Sequence, residues 1–133
     1  MKPEQFIREY EVEKAREVVE GAPDKTATHY VVDTGTYYSE DFLTYFDHSL
    51  EDWETADLNI IGELENIYEH VASLSDLKRL VESVEIIQFW HGIEWCKGLV
   101  EDYKEESIHK ESYGHRIIQA IADYESIYGG VDA

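Results

Sequence analysis

The chain is 133 residues long, is 43% hydrophobic and carries a formal net charge of −19. That length suits one domain, and the apolar content suffices for one modest core, which argues against disorder. The charge repels nucleic acid and anionic membrane and attracts cations or basic protein surfaces, so direct nucleic-acid binding and membrane binding are not expected. A single cysteine, Cys96, rules out an internal disulfide framework and fits a reducing cytoplasm. No apolar run approaches the roughly 20 residues that span a bilayer, and "MKPEQFIREY" lacks a signal-peptide core. A soluble, intracellular protein is the expectation.

The pattern predicts an α+β fold, a mainly helical single domain over 1–133 with a small β-hairpin near residues 29–46. Residues 1–25 form an N-terminal helical segment, 26–72 an acidic hairpin and helix segment, and 73–133 a C-terminal helical segment. In "KPEQFIREYEVEKAREVVEGAPDK", Pro3 suits a first turn and Gly21 with Pro23 a stop. Phe6, Ile7, Tyr10, Val12, Ala15, Val18 and Val19 make no single stripe, which predicts two short helical pieces meeting near residues 10–12.

"THYVVDTGTYYSEDFLTYF" then turns to Thr, Tyr, Val and Phe. Asp33-Thr34-Gly35 suits a turn, pairing residues 29–32 with 36–38 or beyond. Residues 40–46 could equally begin a helix. "SLED" at 49–52 resembles a capping box, predicting helix from Ser49 onward. Ile60, Leu64, Ile67, Val71 and Leu74 recur at helical spacing. Ser75 suits an N-cap for a helix with Leu77, Leu80, Val81, Val84 and Ile87 inward, which Gly92 ends in the left-handed conformation. "IEWCKGLVEDYKEE" is the next helix. Tyr113, Ile117, Ile121, Tyr124 and Tyr128 mark the last, closed by Gly129-Gly130.

"VEKAREVVE" (12–20) and "IEWCKGLVE" (93–101) align without gaps. Short amphipathic helices with a glutamate near the positive end match this way by chance, and neither copy has the basic partner helix of a DNA-binding motif.

The stretches "EQFIREYEVEKAREVVEGAP" (4–23), "SLSDLKRLVESVEII" (73–87), "HGIEWCKGLVE" (91–101) and "RIIQAIADYES" (116–126) resemble a group of short, mostly uncharacterised accessory proteins of tailed phages that infect enterobacteria. The resemblance covers the first 23 residues and the last 60, and rests on packing patterns. That group usually has glycine where this chain has Glu11 and a lysine-like residue where it has Trp95, and it lacks a tryptophan at Trp90. The acidic middle of this chain, residues 26–72, has no counterpart in that group. The resemblance implies a phage product acting in the cytoplasm of a bacterial host and supplies no catalytic residue.

Charge is concentrated in the middle. From Thr26 to Leu77 there are twelve acids and no Lys or Arg. Glu40, Asp41, Asp47, Glu51, Asp52, Glu54 and Asp57 fall within twenty residues, with Glu63 and Glu69 beyond. Such runs are commonly solvated surface, but surfaces normally mix signs because like charges at helical spacing repel. If residues 40–57 were helical they would run about 27 Å. One DNA strand presents roughly eight phosphates over that length. Seven carboxylates have nearly that density, so the segment predicts a phosphate-mimicking surface. Its expected partner is a host protein with a basic nucleic-acid-binding surface, a defence or DNA-processing machine such as a CRISPR effector. Tyr45 and Trp53 would add buried contact.

A metal or cofactor is not expected. "DHSLEDWETADL" lacks the central glycine of an EF-hand and has Leu50 at a ligand position. His91, Glu94 and Cys96 lack the paired spacing of zinc ligands. No nucleophile arrangement stands out, which predicts a non-enzyme. The alternative is a small structural or regulatory phage protein. It would bind a partner, or a second copy of itself, through exposed aromatics among Phe89, Trp90 and Trp95.

Overall fold

The computed structural model describes residues 1–56, 64, 68, 70–105 and 113–129. The fold is α+β and mainly helical, with an antiparallel sheet that contains the expected hairpin. Two compact units divide the chain, Met1–Lys78 and Arg79–Ala133.

In the first unit, α1 covers Pro3–Glu20 and is two helical pieces joined through Glu11, whose φ of 72° and ψ of 161° are not helical. The junction falls where the broken apolar pattern predicts it. α1 stops at Gly21, whose N–H reaches the Glu17 carbonyl at 2.8 Å, and Pro23 follows. Five strands come next: β1 (His29–Val31), β2 (Thr36–Ser39), β3 (Thr44–Asp47), β4 (Asp52–Thr55) and β5 (Val71–Ser73). Their spatial order is β4-β3-β2-β1-β5, every neighbouring pair antiparallel. The hairpin is thus the centre of a sheet.

Directly opposed residues share a face. Val31, Tyr38 and Val71 lie on one face and form a core with Ala56 and Leu64, joined by Tyr45 and Tyr68. Tyr37 points the other way, and its hydroxyl donates to the Val18 carbonyl of α1 at 2.6 Å. α1 therefore lies on that second face.

The helix expected from Ser49 does not form. Ser49 is a donor, not a cap: its N–H and hydroxyl both reach Asp47 Oδ1, at 2.9 and 2.6 Å. Glu51 has a φ of 52°, which right-handed helix excludes. Beyond it, Trp53 and Thr55 pair across to Phe46 and Thr44, the pairing that aromatic and β-branched side chains favour. Residues 40–46 likewise form a turn and strand β3 rather than a helix. The proposed stripe 60–74 fails at Val71, which is on β5; Ile60 and Ile67 lie outside the described residues.

α2 (Leu74–Phe89) begins one residue before Ser75, so that serine sits inside the first turn, and the boundary between the units falls within this helix. Its stripe Leu77, Leu80, Val81, Val84 and Ile87 is buried as expected. Gly92 ends it with a φ of 103°. In the second unit, α3 (Ile93–Glu105) and α4 (Tyr113–Tyr124) follow, the latter continued by a π-helical turn, Glu125–Gly129. Ile87, Cys96, Ile117 and Ala120 form this unit's core. Buried Asp123 accepts from Ser83 at 2.6 Å and Gln119 at 3.1 Å, and Arg116 donates to Ser83 Oγ at 3.2 Å. No described helix is long and apolar enough to cross a membrane.

Candidate protein-binding surface

Folding the acidic segment into hairpins gathers its described carboxylates at two turns, apart from Glu54, which lies along β4. Exposed Glu40 and Asp41 sit in the β2–β3 turn, while Asp47, Glu51 and Asp52 surround the β3–β4 turn. The ends of β3 are about 10 Å apart at the usual strand rise. The straight, helix-borne row of carboxylates that the sequence suggested is therefore replaced by two groups. Asp57, Glu63 and Glu69 lie outside the described residues.

The group at the β3–β4 turn is the denser. Asp47 and Asp52 are directly opposed across the hairpin, an arrangement that costs free energy for like charges. Three donors offset it at Asp47, whose Oδ1 also accepts the Leu50 N–H at 3.3 Å. The Ser49 hydroxyl foremost, and the Ser49 and Leu50 amides, hold the Asp47 carboxyl below its ordinary range. Asp33 occupies the β1–β2 turn at the same end of the sheet, where His48 Nε2 meets the Gly35 carbonyl at 3.2 Å. Exposed Leu50 adds an apolar tip between these acids.

Beside this turn lies an open cleft of about 520 Å³, lined by Pro23, Asp24, Phe46, His48, Glu51, Asp52 and Trp53. Phe46 and Trp53 are opposed on β3 and β4, and their rings meet edge to face at 5.5 Å. His48 stands edge-on to Phe46 at 5.3 Å. Trp53 Nε1 donates to Asp24 Oδ2 at 2.9 Å. Thr26 donates to the other Asp24 oxygen through its hydroxyl and its amide; these bonds, with that from Trp53, keep the Asp24 carboxyl below the usual range.

Among the expected contact residues, Glu51, Asp52 and Trp53 meet at the cleft. Tyr45 and Glu54 are opposed on the other face of the hairpin, and Tyr45 packs on that face's core. Asp24, Phe46 and His48 were not anticipated. Nothing local marks them: Asp24 reaches Trp53 only because the segment after α1 returns over the sheet.

In the second unit Phe89 is 75% exposed and Trp95 44%. Trp90 is half-buried and stacks on Trp95 at 5.8 Å with the ring planes 9° apart. His91 holds a φ of 68° beside Gly92, so the chain turns sharply under this stack. Cys96 is fully buried, and burial pushes its thiol up. The Ser83–Asp123 pair is buried too, which suits cross-bracing of helices better than attack on a substrate. Among the described residues no three His, Cys, Asp or Glu are grouped to hold a metal ion. Compared with protein-family models, curated proteins and solved structures, the chain matches none.

Proposed function

We propose that this chain is a non-enzymatic binding protein that occupies the basic, nucleic-acid-binding surface of another protein, offering carboxylates where that surface takes phosphates. The observation that carries the reading is the gathering of Asp47, Glu51 and Asp52 at one turn beside an aromatic-walled cleft, within a stretch from Thr26 to Ala56 that has no Lys or Arg. A base-free acidic surface draws a basic one by long-range attraction, and aromatic walls supply the buried contact that charge alone lacks. The resemblance of the helical ends to tailed-phage accessory proteins makes a host defence or DNA-processing protein the natural target, met in the bacterial cytoplasm.

The test is competition. A partner captured from host lysate should be displaced by duplex DNA, and its affinity should fall steeply with salt because screening acts over about 8 Å at physiological ionic strength. Two double variants separate position from total charge: Glu51→Lys with Asp52→Lys, and Glu40→Lys with Asp41→Lys. The first pair should abolish binding and the second should weaken it only modestly. Equal losses would mean that general acidity, not this surface, is responsible.

The exposure of Phe89 and Trp95 favours a second reading, in which the partner sits on the aromatic stack of the second unit. Loss of capture by Phe89→Ser or Trp95→Ala, with both charge variants still binding, would select it.

A further inference from the structure

We infer that the cleft beside Trp53 is a socket for an arginine side chain of a basic protein partner. The inference rests on the proposed binding reading and names the group that this surface takes. A guanidinium is planar and weakly hydrated, stacks on aromatic faces and offers a fork of donors to carboxylates, whereas a lysine ammonium is a strongly hydrated point charge. The cleft supplies both kinds of contact at one place. Phe46 and Trp53 form an edge-to-face aromatic wall with ring centroids 5.5 Å apart, and Glu51 and Asp52 stand on its rim.

Trp53 is already set before any partner arrives. It is clamped by its indole N–H on Asp24, so little side-chain entropy is lost on stacking a ligand against it. Asp24 is occupied by Thr26 and Trp53, which makes it the fastener of the wall. Glu51 is engaged by no hydrogen bond or ion pair among the described residues, and its carboxylate is the one left to meet an incoming donor fork. At about 520 Å³ the cleft exceeds one side chain, so residues flanking the arginine enter its mouth as well. Charge complementarity selects the occupant: with acids on its rim and no Lys or Arg in its lining, the cleft accepts a cation and rejects a phosphate or a second copy of this acidic chain.

The experiment titrates two capped hexapeptides, one with three arginines and one with three lysines, into the full chain. The Trp53 indole N–H signal in a ¹⁵N–¹H spectrum reports binding. The arginine peptide should shift that signal and bind roughly three- to five-fold more tightly, the factor expected of one exposed cation–aromatic contact. Trp53→Leu, read by calorimetric titration because it lacks the indole reporter, should abolish the preference, and so should Glu51→Gln, an exposed turn variant that leaves the backbone spectrum unchanged. Equal affinity for the two peptides, or a preference that survives both substitutions, overturns the socket. Should DNA fail to compete for the captured partner while the arginine peptide still shifts Trp53, the socket stands and mimicry falls. Should DNA compete while the peptides bind equally, mimicry stands and the socket falls.

Discussion

Trp53 and Asp24 are 29 positions apart in the chain, yet the indole N–H of one sits 2.9 Å from Oδ2 of the other. Together with the Thr26 bonds, this contact ties the β3–β4 hairpin to the segment that leaves α1. Thr26→Ala and Trp53→Phe should each raise the Asp24 pKa toward 3.8, Thr26→Ala the more, since its hydroxyl is the main cause of the lowering. Because the folded pKa is depressed, the associated stability is present above pH 3.8 and is lost as pH falls through the folded value. Asp24 is exposed, so the whole effect should stay under about 1 kcal/mol. An NMR titration of the carboxyl carbons in the three proteins measures the order; an unchanged midpoint in Thr26→Ala would refute it.

Glu11→Gly should stabilise the protein. A φ of 72° with ψ of 161° belongs to a region that is nearly exclusive to glycine. Relief of the strain outweighs glycine's greater freedom in the unfolded chain, for a net gain of about 1 kcal/mol. The urea midpoint should rise with the slope unchanged. A lower midpoint would show that the Glu11 side chain contributes more than its backbone costs.

Burial raises the hydroxyls of Tyr37 and Tyr38 from 10.0 to about 12, and a bond to Tyr68 contributes at Tyr38. Both stay neutral in the fold while their unfolded counterparts ionise near 10. Stability from this source is therefore complete below pH 10 and declines as pH rises toward 12. Tyr37→Phe should flatten that alkaline decline. At neutral pH the same substitution removes the bond to the Val18 carbonyl and should cost about 1 kcal/mol. Chemical denaturation at neutral and alkaline pH, with and without the substitution, checks both statements.

The buried cross-brace of the second unit gives a non-additive prediction. Ser83→Ala should cost about 1–2 kcal/mol. Asp123→Ala should cost about 2 kcal/mol, because it leaves the buried Ser83 hydroxyl without its acceptor. The double variant should lose less than the sum, since both changes break the same bond. Strict additivity in a denaturation cycle would mean that the two residues act separately.

Cys96 should be unreactive while the protein is folded. It is fully buried, and desolvation holds its thiol above the ordinary value, leaving little of the nucleophilic thiolate. A disulfide reagent should label it slowly in buffer and rapidly in denaturant. Rapid labelling in buffer would indicate that the α2–α3 packing opens.

What the sequence determined by itself was local. The kink at Glu11, the stop at Gly21, the inward stripe of α2 and the left-handed Gly92 all follow from helical periodicity and from the conformational limits of single residues. The hairpin followed from β-branched and aromatic residues around Asp33-Thr34-Gly35. Tertiary structure decided the rest of the sheet. Strand β5 pairs with β1 across some forty residues, and no local pattern encodes a partner at that distance. Ser49 carried the local signature of a helix cap, but Asp47 captured its donors and Glu51 took a left-handed turn, so cross-strand pairing prevailed over helix propensity. That outcome broke an apparent line of carboxylates into two groups and placed one beside an aromatic wall. The count of charges can be read from the chain; which of them share a surface depends on strand register, and register is a property of the folded sheet.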